Sequence, residues 1–179
     1  AKVQARHNSM FGEVWFWYPS AGSNEIDRAV IYNYENGTWS KASVARLAWA
    51  DRGVFPLPLA VDQNGVIYEH ENGDSANGVP MGSYVLSHPL TVGVGQQMMQ
   101  LCDFWPDMEP MSDDCTLTIV GRYYSGAPDE LFGPYPFDAG TEKIDLSIEV
   151  RQAQIKIAGI SGYWELGAPI LNIQPGSLR

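Results

Sequence analysis

Apolar and polar residues alternate with a period of two through most of the chain, the signature of half-buried β-strands. Ile144, Leu146, Ile148 and Val150 alternate with Asp145, Ser147 and Glu149. Ala153, Ile155 and Ile157 then alternate with Gln152, Gln154 and Lys156. The apolar parity switches between these two runs, which predicts a bulge or bend near Arg151 and Gln152. Val30, Tyr32 and Tyr34 run into Asn36-Gly37 and on to Trp39, a strong hairpin signal. Asp62-Gln63-Asn64-Gly65 separates Leu59-Ala60-Val61 from Val66-Ile67-Tyr68 and predicts a second hairpin. Leu117 to Tyr124, Trp164 to Leu166 and Ile170 to Ile173 read as further strands, and a hairpin of residues 97–104 with 116–124 is expected. Phe55-Pro56-Leu57-Pro58 and Gly133-Pro134-Tyr135-Pro136 read as extended connectors. No amphipathic helix of ten residues is present in the pattern. The fold class expected is all-β, with helix below about 10% of residues.

Asp74 to Gly82 is rich in Gly, Asn, Ser and Pro and suggests a seam. Before it the hairpins are short and aromatic, in the manner of propeller blades. After it the strands are longer, as in a β-sandwich. The domains expected are therefore a blade-like segment, residues 1–82, and a sandwich-like domain, residues 83–179. A single blade cannot bury both of its faces, so such a segment needs neighbouring structure.

The chain has 179 residues, enough for a core without disulfide staples. Cys102 and Cys115 are expected to be free thiols, and Trp164 a core residue. Formal net charge is −10, and the imbalance is local: residues 53–121 hold nine carboxylates and no Lys or Arg. That sign disfavours binding to phosphate backbones and to anionic membranes. No apolar run is long enough for a membrane helix, and Ala1-Lys2-Val3-Gln4 does not open like a signal peptide.

Motifs of catalysis are missing: there is no Gly-x-Ser-x-Gly elbow, no His-Glu-x-x-His and no phosphate loop. The expectation is a protein that is not an enzyme and takes no cofactor. Glu69-His70-Glu71 is the best metal candidate, but alternation along a strand turns His70 away from its neighbours. Asp62, Asn64 and Asp74 offer oxygen ligands of the kind calcium takes, yet read more simply as turn residues. The acidic loop Asp103, Asp107, Glu109, Asp113 and Asp114 could chelate calcium, line a channel or be a solvated loop. Trp15-Phe16-Trp17-Tyr18 must present rings to both faces of a strand. Core on one face and a subunit interface on the other is the reading favoured, with Trp15, Trp17 and Trp49 as interface aromatics. A sugar-stacking platform built from the same rings is the alternative.

Several motifs together carry a family resemblance. Trp15 to Ser23 is followed by Asp27-Arg28, Val30-x-Tyr32-Asn33-Tyr34, Trp39 and Ala45-Arg46-x-Ala48-Trp49. Gly65-x-x-Tyr68-x-His70-Glu71-x-Gly73, Gly133-Pro134-Tyr135, Arg151-Gln152-Ala153, Trp164-x-Leu166-Gly167 and Pro175-Gly176 complete the order. Over residues 11–179 this set resembles the C-terminal portion of podovirus tail nozzle (tail hub, packaged-DNA stabilisation) proteins. The resemblance implies a virion component, assembled in the host cytoplasm, in a homo-oligomeric and typically hexameric ring. It implies contacts with other tail or portal-adaptor proteins, and passage of DNA without tight binding. Since such proteins are several times longer and carry a β-propeller, it also implies that this chain is a fragment or a short relative. No catalytic residue, cofactor or membrane partner follows from it. The alternative function is a receptor- or glycan-binding tail module.

Overall fold

The computed structural model describes residues 2–73, 75–93, 95, 97–110, 112–160 and 162–178, the last two of these by backbone alone. Among them there is no helix, and every paired strand is antiparallel. The protein is all-β. The chain divides into two compact units, Ala1–Gly73 and Asp74–Arg179.

The first unit opens with a four-stranded meander of β1 (Gln4–Asn8), β2 (Glu13–Tyr18), β3 (Arg28–Asn33) and β4 (Thr38–Ala42). Asn36-Gly37 joins β3 to β4, and Gly37 takes the positive φ of 68° that this tight turn needs. A three-stranded meander follows: β5 (Ala48–Ala50), β6 (Leu59–Val61) and β7 (Ile67–Glu69). Asp62 shapes the β6–β7 turn by accepting the N–H groups of Asn64 (2.8 Å) and Val66 (3.0 Å). Trp15, Trp17, Ile26, Ala29 and Ile31 form the buried core, with Trp49, Val44 and Leu47 packed against it.

The second unit begins with β8 (Ser75–Ala76) and β9 (Val79–Pro80), a small hairpin within the segment whose composition reads as linker. Seven further strands make two sheets. β10 (Tyr84–Leu86), β15 (Gln152–Gly159), β12 (Cys115–Arg122) and β13 (Glu130–Phe137) lie side by side in that order. β14 (Ile144–Val150), β11 (Gln97–Trp105) and β16 (Ile170–Leu178) make the other. Leu117, Ile119, Ala153 and Ile157 of the first sheet share one core with Met99, Leu101, Phe104, Ile148 and Val150 of the second. This is a sandwich-like arrangement.

The bend expected at Arg151 is the corner where the chain leaves one sheet for the other: β14 pairs with β11, whereas β15 pairs with β10 and β12. Both runs keep their apolar residues inward, so a change of sheet requires a change of parity.

Four expectations need correction. β11 and β12 are not a hairpin but belong to different sheets. Cys102 and Cys115 are free, as expected. Gly133 to Pro136 is part of β13, an edge strand, where a proline's missing N–H does no harm. Trp164 to Leu166 is not a strand, since only Leu166 makes a bridge, to Met108. Trp164 is half-buried rather than a core residue: its indole lies over Gly159 and donates to Ser83 Oγ at 2.8 Å.

Candidate functional site

The five carboxylates of the acidic loop do not converge. The loop runs between β11 and β12 and is zipped by backbone bonds to Ile160, Tyr163, Glu165 and Gly167. Gly167 N–H donates to Asp107 O (2.7 Å), Glu109 N–H to Glu165 O (3.1 Å), Asp113 N–H to Tyr163 O (2.7 Å) and Ile160 N–H to Asp114 O (2.9 Å). Ser112 Oγ completes the zip by accepting Glu165 N–H at 3.0 Å.

Side chains then serve the same joint. Asp103 accepts Trp105 Nε1–H and Asn172 Nδ2–H, each at 2.5 Å, tying β11 to β16. Asp107 Oδ2 accepts Ala168 N–H at 2.8 Å, and its carboxylate fills the space where a Cβ on Gly167 would lie. Asp113 sits against Gly162 in the same way. Asp114 lines a hollow of about 170 Å³ with Pro136, Phe137, Asp138 and Thr141. Glu109 is half-buried, whereas Asp107, Asp113 and Asp114 are exposed. No three His, Cys, Asp or Glu side chains are grouped to hold a metal ion among the described residues. Beside the loop, burial and the charges of Asp114 and Asp113 push the Cys115 thiol up, so it stays protonated and poorly nucleophilic.

Trp15 and Trp17 are inside. Alternation along β2 turns Trp15 and Trp17 inward, 9% and 2% exposed. Trp49 stacks on Trp15, ring centroids 5.5 Å apart, and lies tilted against Trp17 at 6.2 Å. The indole N–H of Trp15 donates to Glu13 (2.8 Å) and that of Trp49 to the His7 carbonyl (2.9 Å). Trp17 Nε1 is buried without a partner. Trp15 and Trp17 therefore have no open ring face for a sugar or a subunit. The aromatics turned outward from the same sheet are Phe16, Tyr32 and Trp39. Trp39 is 63% exposed, tilted against Tyr32 at 4.6 Å and stacked on Phe16 at 6.2 Å. The alternation of β2 and the Tyr32–Trp39 cross-strand pairing of the predicted hairpin were the signals for this face.

Glu69, His70 and Glu71 diverge too. Glu69 is exposed and accepts from Asn72 Nδ2 at 2.9 Å. His70 Nε2 accepts a hydrogen bond from Arg46 Nε at 2.8 Å, which requires a neutral ring protonated on Nδ1. Burial, and secondly the Arg46 cation, hold its pKa down to about 4. Arg46 in turn lies 4.2 Å over the Tyr68 ring, its own pKa lowered by burial. Glu71 adopts a φ of 60° and shares the wholly buried Asn8 with Glu13. Asn8 Nδ2 donates to Glu71 Oε1 at 3.0 Å and to Glu13 Oε2 at 3.3 Å. Burial, then the Glu13 charge, push the Glu71 carboxyl up. Asp62 is a turn residue, and Asp74 lies outside the described residues. Asn8 and Glu13 escaped the sequence reading because nothing local distinguishes them; Arg46 stood only within a motif.

No protein-family model matches the chain, and no curated protein matches it. No helix among the described residues is long and apolar enough to cross a membrane.

Proposed function

We propose that this chain is a structural component of a phage tail, a subunit of a homo-oligomeric ring that extends the DNA channel and helps retain packaged DNA until ejection. The observation that carries the reading is the charge distribution, taken with the ordered motifs that resemble tail nozzle proteins. Residues 53–121 hold nine carboxylates and no Lys or Arg. A wall of that sign confines DNA without gripping it, because counterion release needs basic side chains at the phosphates. The four-stranded meander β1–β4 is read in the same proposal as propeller-blade material, requiring neighbours to cover its outer face. Contacts with other tail or portal-adaptor proteins belong to this reading, as does the hexameric count.

Native mass spectrometry of the intact assembly tests it. A ring of identical copies is expected, and a chain that stays monomeric or dimeric at tens of micromolar would overturn it. For DNA, the expected affinity for duplex at about 150 mM salt is weaker than ~10⁻⁴ M. A salt-sensitive mobility shift at low micromolar protein would refute the conduit reading.

A further inference from the structure

Between Asp74 and Asp103 no side chain carries a formal charge, His88 apart, the longest such run in a chain of net charge −10. It contains β8, β9 and β10, and it is the most openly apolar part of the second unit. Val79 is 65% exposed, Met81 55%, Tyr84 60%, Val85 54% and Leu86 46%.

The backbone of β10 is half used. Gly159 N–H donates to Ser83 O (3.1 Å) and Ser87 N–H to Ile155 O (2.9 Å). In an antiparallel ladder alternate residues face the neighbour, so Ser83, Val85 and Ser87 turn their backbone groups to β15. Tyr84 and Leu86 turn theirs to the open edge of the sheet. Val85 pairs with Ile157, a core residue, and so faces the inner side of the sheet while remaining more than half exposed. The other edge of this sheet is different. β13 carries Pro134 and Pro136, which blunt an edge against further pairing.

We propose that two copies of this chain join edge to edge through β10. Antiparallel pairing about a two-fold axis at Val85 sets Tyr84 opposite the partner's Leu86, and Leu86 opposite the partner's Tyr84. Both pairs exchange two backbone hydrogen bonds, four in all, and the two Val85 side chains meet on the inner face. The strand is thus complementary to itself. A second copy is the fitting occupant for three reasons. Like-charged molecules approach best where neither carries charge. The open edge has a register in which every free donor meets a free acceptor. The blunted β13 edge blocks head-to-tail growth of the same sheet, leaving the closed pair. The contact goes beyond the ring reading and does not depend on it, since a cyclic ring uses head-to-tail contacts and this one is two-fold.

A three-residue strand makes a small interface, so the dissociation constant is expected between about 10 µM and 1 mM. Sedimentation equilibrium of the full chain across that range should show pairwise association of whatever species is present at low concentration: rings pairing with rings, or, where no ring forms, monomers pairing into dimers. Amide exchange at Tyr84 and Leu86 should slow as concentration rises, while Val85, already bonded to β15, should not change. Val85→Lys, which sets two cations face to face, should weaken association at least tenfold. Leu86→Pro, which deletes an open-edge N–H, should do the same, each with an unchanged melting curve at low concentration. Leu131→Lys, on exposed β13, should leave it unaltered. A monomer at 1 mM would overturn the proposal, as would a dimer insensitive to both β10 variants or one lost in Leu131→Lys. A ring whose Tyr84 and Leu86 amides stay unprotected would sustain the ring reading and refute this contact. A β10 dimer without any ring would do the opposite.

Discussion

The two units reach a stable β-structure by different chemistry. The second closes two sheets on a core of Met, Leu, Ile, Val and Phe side chains, with twelve buried residues in one cluster. The first has five buried residues in its cluster, two of them tryptophans, and places a polar cluster beside them. Asn8, Glu13, Glu71, Arg46 and His70 are all buried or half-buried there. Aliphatic packing is indifferent to pH, whereas half-buried titratable groups are not. The first unit should accordingly respond to acid and the second to volume.

The largest effects come from the cores. Phe104→Ala removes a ring that is 0% exposed and touches Phe137 edge-on, and should cost about 3–5 kcal/mol. Trp17→Ala should cost the first unit a similar amount, set against a smaller core. Amide exchange should then show protection lost between β1 and β4 but kept in β11, β12 and β15. Equal loss in both units would show that they unfold as one.

Overpacking tests the second unit more gently. A Cβ on Gly121 would lie 2.6 Å from Val150 Cγ1 and 2.9 Å from Phe132. Gly121→Ala should destabilise by about 1–3 kcal/mol, read as a lower denaturant midpoint at an unchanged slope. A neutral result would mean that the two sheets separate easily at that point.

Titration tests the first unit. His70 has a folded pKa of about 4 against 6.5 when free, so the unfolded chain takes up the proton first as pH falls. Its contribution is fully present above pH 6.5 and is lost between pH 6.5 and about 4. Allowing for its partial exposure, the loss should be on the order of 1–2 kcal/mol. Denaturation of wild type and His70→Gln at pH 7 and pH 4.5 should show the difference between them shrinking in acid. A constant difference would place the imidazole in water.

Glu71 works in the other sense. Its carboxyl is raised by burial and by Glu13, so its stabilising contribution is present below the ordinary glutamate value and is lost as pH rises through the folded value. Glu71→Gln should therefore raise stability at pH 7 by under about 1 kcal/mol and change little at pH 4. Stability that falls at pH 7 would show that the charged carboxylate, held by Asn8, is the favoured form.

How far the sequence was legible depends on the range of the interaction concerned. Period-two alternation, the Asn36-Gly37 and Asn64-Gly65 turns and the parity switch at Arg151 each act over a few residues. They were enough for the all-β class, for the β3–β4 and β6–β7 hairpins and for the corner between β14 and β15. Which strands pair was beyond them: β11 joins β14 and β16 from about 40 and 70 residues away, and no local pattern encodes that choice. The acidic loop reads in sequence as five free carboxylates because a line of text does not show the partners. In the folded chain Asp103 meets Asn172 and Asp107 meets Ala168, and charge that looks available holds a joint together. Likewise, alternation shows that Trp15 and Trp17 face one way and Phe16 the other. Only the packing of Trp49 and Ile26 onto that sheet decides which way is inside, because burial is a property of what lies opposite.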